Sequence, residues 1–254
     1  MTTKDIIIRH HNRNISGRLY LPQKDKCSMV IFSHGFNGSG DDFSEYAKIL
    51  AENGIGAYIF DFCGGSLRSK SDLSTTEMTV FTEKEDLFAV IDFIEKQQNT
   101  AKIFLFGASM GGLVSALCAE ERANKIQGMI LLYLALCVAD DWNKRFLNIE
   151  EIPAVHSVWN VPLGKSFFET LHSFNVFEHI GKYQKDILII HGDKDKIVPL
   201  EYSIRANEIY TNSKLKIFQN EGHGFSDISA EKTINIIVNF IYKEEQDKKY
   251  QITP

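Results

Sequence analysis

The chain has 254 residues, 44% apolar and 24% charged, with 28 Lys and Arg against 33 Asp and Glu for a net charge of −5. A length of this order suits one α/β domain that buries about three quarters of its unfolded surface, so it needs no metal or disulfide staples. The composition excludes a collagen, a disulfide-dense secreted module and a low-complexity chain. Mild acidity without clustered basic residues argues against a duplex nucleic-acid binder.

In chain order, residues 5–9 and 17–21 read as an antiparallel pair joined by a polar turn at 11–14. Residues 29–33, Met-Val-Ile-Phe-Ser, form a short apolar run, the pattern of a strand covered on both faces. The runs at 57–60, 103–106, 129–132, 187–190 and 215–218 repeat it. Between them Phe43, Ala47, Leu50 and Ala51 recur at helical spacing, as do Leu87, Val90, Ile91 and Ile94, and later Ile234, Ile237, Val238 and Ile241. This alternation predicts a mostly parallel eight-stranded sheet with helices on both faces, in one domain over residues 1–254.

One stretch breaks the rhythm. From about Ala135 to Tyr183 there is no buried-strand run, yet both tryptophans, Trp142 and Trp159, lie there with Phe146, Phe167, Phe168, Phe174 and Phe177. An insertion at about 135–183 is expected to be a lid or binding element, the plainer alternative being extra helices that cover an apolar edge. The mixed-charge tail at 243–250 is expected to carry the last helix into solvent.

Cys27, Cys63, Cys118 and Cys137 form no C-x-x-C pair and no register with histidine, so no zinc or other metal site is expected. His10 and His11 are adjacent; in a strand they point to opposite faces, so a surface turn is the reading rather than a metal pair. Met1 to Asp5 hold no signal-peptide core, and no apolar run nears the roughly 18 residues of a membrane span. The expected setting is cytoplasmic, with reduced thiols.

The strongest local signal is Gly107-Ala108-Ser109-Met110-Gly111, a G-x-S-x-G between the strand at 103–106 and a helical stretch carrying Leu113, Ala116 and Leu117. Glycines suit a strand-to-helix turn so sharp that side chains there would strike neighbouring backbone. A serine hydroxyl is a weak nucleophile until a base takes its proton, and an imidazole base needs an acid to fix its tautomer. In a nucleophile-elbow fold the order is serine, acid, histidine. The strand at 187–190 ends in His191-Gly192-Asp193-Lys194-Asp195, and the strand at 215–218 leads into Glu221-Gly222-His223-Gly224-Phe225. His223 is therefore the expected base and Asp195 the expected acid. Asp193, nearer the strand end, is the rival, with loop-holding backbone bonds as its other reading. Met110 and Phe36, the latter in Ser33-His34-Gly35-Phe36-Asn37-Gly38, are the expected amide donors to an oxyanion. His34 precedes the serine and is read as loop-shaping, His191 as a buried hydrogen-bonded ring, and Cys63 and Cys118 as packing residues. His156, His172 and His179 in the insertion are not distinguished from one another.

These motifs resemble those of the α/β-hydrolases, and more narrowly of bacterial feruloyl/cinnamoyl esterases and related carboxylesterases. The resemblance is carried by His34-Gly35-Phe36, Asp61-Phe62-Cys63-Gly64-Gly65-Ser66, the elbow, and His191-Gly192-x-x-Asp195-x-x-Val198-Pro199. It extends to Ile152-Pro153 and Leu163-Gly164-Lys165 in the insertion, which are similar to a small cap over an acyl pocket. Where those esterases commonly have G-H-S-Q-G, Ala108 and Met110 flank Ser109 here. The resemblance implies a cofactor-free serine carboxylesterase for small acyl or hydroxycinnamoyl esters. A thioesterase, a small peptidase-like hydrolase and a non-catalytic binding protein stay open as alternatives. The expected partner is a small-molecule ester, with at most a second copy of the chain in a homodimer, and neither nucleic acid nor membrane.

Overall fold

The computed structural model describes residues 1–246. Strands β1 (Thr2–His10) and β2 (Arg13–Leu21) pair antiparallel from Thr2↔Leu21 to His10↔Arg13. Both are longer than the sequence suggests, and the connection shrinks to two residues, with His11 at φ 49°. Because His11 leaves the strand there, its ring lies 4.2 Å from that of His10 instead of on the opposite face.

The chain continues through β3 (Cys27–Ser33), α1 (Ser44–Glu52), β4 (Gly56–Phe60), α2 (Val80–Glu95), β5 (Thr100–Ala108), α3 (Met110–Arg122) and β6 (Ile126–Leu132). The insertion follows, with α4 (Val138–Arg145), β7 (Val155–Val158), β8 (Val161–Gly164) and α5 (Lys165–Leu171). Then come β9 (Ile187–Gly192), α6 (Leu200–Ile209), β10 (Ser213–Phe218) and α7 (Asp227–Gln246). Eight strands form one sheet in the order β1-β2-β4-β3-β5-β6-β9-β10, with β4 to β10 parallel and β2 antiparallel to both its neighbours.

Strand alternation divides the core. Met29, Ile31, Ile103, Leu105, Met129 and Leu131 face α2 and α3, while Val30, Phe32, Phe104, Phe106, Ile130 and Ile190 pack beneath α1 and α7. Each large buried side chain contributes about 1.5–3 kcal/mol relative to exposure. From β3 the chain moves to β4 on one side and to β5 on the other. The crevice at the carboxyl ends of β3 and β5 is thus the topological switch point where open α/β sheets bind ligands.

The insertion contains a strand pair that the sequence reading does not include. β7 and β8 form a hairpin with four residues in each strand, whose turn is Trp159-Asn160, at φ 47° and 66°. It is too short to show alternation, and Pro162 confines β8 to a small sheet of its own. Val161, Leu163, Phe167, Phe168 and Leu171 are buried in the main core cluster, and Thr75 Oγ1 donates to the Pro162 carbonyl at 2.6 Å. The expected tail extension differs too. α7 is helical to Gln246, but Glu244 is buried, accepting from Gln127 Nε2 at 3.3 Å rather than facing solvent. Residues 247–250 of that stretch lie outside the described residues. No helix among the described residues is long and apolar enough to cross a membrane.

Candidate active site

Ser109 sits between the end of β5 and the first turn of α3 at φ 53°, ψ −121°. A non-glycine residue in that region is strained, and surrounding contacts must hold it. Its N–H donates to the Leu132 carbonyl at 3.0 Å, and its carbonyl accepts from Ala135 at 2.9 Å and Gly112 at 2.9 Å. The flanking glycines permit the turn: a Cβ on Gly107 would enter the Gly111 carbonyl, and one on Gly111 would enter the Ser33 carbonyl. The hydroxyl is thereby lifted off the sheet edge.

The structure brings Ser109, His223 and Asp195 into one hydrogen-bonded row. His223 Nδ1 lies 2.8 Å from Asp195 Oδ2 and Nε2 lies 3.0 Å from Ser109 Oγ. A carboxylate only accepts, so Nδ1 carries the proton and Nε2 is bare, facing the serine hydroxyl. Asp195 Oδ1 is occupied separately, by the N–H groups of Ile197 at 2.8 Å and Val198 at 2.9 Å. The Asp195 side chain is fully buried, whereas that of His223 keeps 18% of its surface exposed. Asp193 is engaged elsewhere: its Oδ1 accepts from the Asn220 N–H at 2.6 Å, closing the loop beside β10.

Gly35 passes directly over the nucleophile, since a Cβ there would lie 3.0 Å from Ser109 Cβ. Among the described residues no protein acceptor engages the N–H of Phe36 or of Met110, the first residue of α3. The Phe36 loop is clamped from behind: Asn37, at φ 55°, donates its N–H to Gly65 at 3.0 Å and accepts from Leu67 at 3.1 Å. His34 is buried, takes the Phe62 N–H at Nε2 (3.0 Å) and donates from Nδ1 to Gly35 (2.8 Å). Burial lowers its pKa, which keeps it a neutral strut in the loop.

Two hollows meet at Ser109. One, of about 230 Å³, is walled by Met110, Trp142, Leu163 and Phe167, with Asp141 as a carboxylate in an otherwise largely apolar lining. The other, about 410 Å³ and on the His223 side, is bordered by Asp42, Tyr46, Tyr133 and Phe225. Phe36, Ser109 and Trp159 belong to both. A third hollow, of about 320 Å³, near Asp5, Arg18, Asp41 and Lys70 shares no residue with these; its charges pair with one another, Arg18 with Asp5 at 2.6 Å and Lys70 with Asp41 at 2.6 Å.

Tyr133, Asn37 and the Trp159 turn were not picked out from the sequence. Tyr133 holds φ 36° and sets its ring 4.6 Å from that of His223. Asparagine in a glycine-flanked loop was the one available hint for Asn37. Other residues lie away from the row. Burial, with the Asp86 carboxylate beside it, pushes the Cys63 thiol pKa up, and Cys118 is buried in α3. His156 packs on Trp142, Phe146 and Phe168 within the insertion, and neither His172 nor His179 lines the Ser109 hollows. Among the described residues no group of three or more His, Cys, Asp or Glu is placed to hold a metal.

Residues 24–153 match the family model described as serine aminopeptidase, S33, just over half of the chain. Monoglyceride lipase of Rattus norvegicus is 27% identical over 176 residues, covering 69% of this chain but only 56% of that protein, so the chain spans little more than half the length of that relative. A putative non-heme chloroperoxidase of Synechocystis sp. is 23% identical over 256 residues, 84% of this chain and 90% of that one. Among solved structures, the ferulic acid complex of Est1E from Butyrivibrio proteoclasticus superposes with a TM-score of 0.87 at 26% identity, over 94% of this chain and 98% of that one. A sequence match of that extent, on a sheet of this strand order, places the chain in the serine aminopeptidase, S33 family of α/β-hydrolases.

Proposed function

We propose that the chain is a serine carboxylesterase acting on small acyl or hydroxycinnamoyl esters through an acyl-enzyme intermediate. The observation that carries this reading is His223 standing between Ser109 Oγ at 3.0 Å and Asp195 Oδ2 at 2.8 Å. Ser109 attacks the ester carbonyl as His223 Nε2 takes its proton, and Asp195 holds the ring and balances the imidazolium charge. The unengaged N–H groups of Phe36 and Met110 receive the oxyanion; one such donor typically contributes about 2.7–4 kcal/mol to the transition state. His223 then gives its proton to the leaving alcohol, and water repeats the sequence on the acyl-enzyme.

The proton's path assigns the two hollows. The alcohol must leave beside His223 Nε2, so the open hollow bordered by Tyr46 and Tyr133 takes the leaving group. The smaller hollow beside Met110, roofed by the insertion acting as a cap, takes the acyl group. Its apolar lining with a single carboxylate suits a compact or aromatic acyl group that carries a hydroxyl for Asp141. The match to a structure holding ferulic acid supports the same acyl class.

Ser109→Ala is expected to abolish hydrolysis of p-nitrophenyl butyrate while leaving the circular dichroism spectrum unchanged. Retained turnover refutes the assignment. Methyl ferulate assayed beside it decides the acyl class, since activity on the butyrate alone removes the hydroxycinnamoyl part. Thioester and aminoacyl-amide panels test the thioesterase and peptidase-like alternatives.

A further inference from the structure

His191, the penultimate residue of β9 at the end toward the site, is fully buried and held at both ring nitrogens. Nε2 lies 3.0 Å from the Val198 carbonyl oxygen, which only accepts, so Nε2 carries the proton. Nδ1 is then bare and accepts the Ser203 hydroxyl at 2.6 Å. Ser203 lies on α6 and is itself fully buried. The same Nε2–H stands 3.3 Å from Asp195 Oδ2, the oxygen that receives His223 Nδ1–H.

Three consequences follow from this placement. The Val198 carbonyl and Asp195 Oδ2 are both negative ends turned toward one N–H, and without it they would face each other in a dry space. The N–H dipole beside Oδ2 also offsets part of the negative field that Asp195 presents to His223. Burial, with His223 acting in the same direction, holds the His191 ring neutral against the pull of Asp195 and the Val198 carbonyl, so its own charge does not enter.

We propose that His191 is a positioning residue for the proton-transfer row, keeping the Asp195 loop closed and limiting how strongly Asp195 holds a proton on His223. The inference rests on the triad reading above. Loss of the His191 N–H leaves Asp195 a stronger partner for the imidazolium. The base then stays protonated to higher pH, and the acid limb of kcat/KM moves upward.

The test uses the full chain. Ser109-dependent turnover of p-nitrophenyl butyrate is established first, so a failure of the functional reading is seen separately. His191→Leu removes both ring bonds, whereas His191→Gln keeps one N–H and one carbonyl acceptor. His191→Leu is expected to lose about ten- to a hundredfold in kcat with KM changed less than about threefold, and to raise the acid limb by about one pH unit. His191→Gln is expected to recover most of both losses, which a purely space-filling role does not predict. An unmoved acid limb in folded His191→Leu, or a Gln variant as impaired as Leu, overturns the proposal. Nitrogen-15 NMR of the unmodified protein tests it independently of folding defects and of turnover. The His191 ring is expected as the Nε2–H tautomer at neutral pH, and an Nδ1–H tautomer overturns the proposal outright.

Discussion

Asp195→Asn isolates the orienting role of the acid with almost no change in shape. Asp195 Oδ1 accepts two backbone N–H groups, from Ile197 at 2.8 Å and Val198 at 2.9 Å. The amide oxygen of asparagine must take that position, because an NH₂ there would confront two donors. The NH₂ is then forced into the place of Oδ2, 2.8 Å from His223 Nδ1 and 3.3 Å from the N–H of His191. To accept from it, His223 must lose its Nδ1 proton and carry one on Nε2, which then points at Ser109 and cannot act as base. A wrong-tautomer substitution of this kind lowers kcat by about 10⁴-fold, or about 5 kcal/mol in the barrier. Asp195 is fully buried and lines neither hollow, so KM is expected to stay within a few-fold. Steady-state hydrolysis of p-nitrophenyl butyrate, with near-ultraviolet circular dichroism to check the fold, measures this. A folded variant retaining kcat within about tenfold of the parent would refute the assignment of the acid.

Asp193→Ala gives the contrast: losing the bond to the Asn220 N–H is expected to cost about 1 kcal/mol in urea unfolding while kcat stays within about threefold. Gly111→Ala drives a Cβ into the carbonyls of Ser33 and His34, both backbone groups that cannot swing aside. A loss of about 3 kcal/mol and a fall in Tm of roughly 6–12 °C are expected by calorimetry, and an unchanged Tm contradicts the close approach at the elbow. Glu83 is fully buried with neither oxygen hydrogen-bonded, and burial holds its pKa well above the usual carboxyl range; Asp86 is pushed up to about 6, burial outweighing its ion pair with Arg13 at 3.2 Å. Both groups hold protons more tightly folded than unfolded, so their contribution is present at acid pH and lost as pH rises through about 6 and beyond. Glu83→Gln, which cannot ionise, is expected to gain in Tm over the parent as pH rises from acid to alkaline. A gap that does not change with pH contradicts this.

The central strands were legible in the sequence because they are covered on both faces and read as unbroken apolar runs, such as 29–33 and 103–106; the edge strands β1 and β10 are largely exposed instead, and Lys216 interrupts the run at 215–218 that was expected to share that pattern. The residues of the candidate site stood out for a related reason. Ser109, Asp195 and His223 each follow the end of a strand, β5, β9 and β10 in turn, and the fold carries those ends to one edge. α6 escaped notice because its buried residues include the small Ser203 and Ala206, which leave no apolar stripe to count. The β7–β8 hairpin escaped because four residues cannot display alternation and its turn uses Trp159 and Asn160 where glycine is usual. What joins distant segments was not legible at all. The Asn37 clamp on Gly65, the Tyr133 ring against His223 and the Ser203–His191–Asp195 contacts depend on tertiary approach, which single-residue patterns do not encode.

Ester hydrolysis by the proposed route requires Ser109 to be a nucleophile activated by His223. A fluorophosphonate probe, followed by intact-mass and peptide mass spectrometry, measures that nucleophilicity without assuming any natural substrate. Stoichiometric labelling on the peptide bearing Ser109, abolished in Ser109→Ala and slowed by orders of magnitude in His223→Ala, is the expected result. Unlabelled protein, or labelling equally fast without His223, contradicts the account.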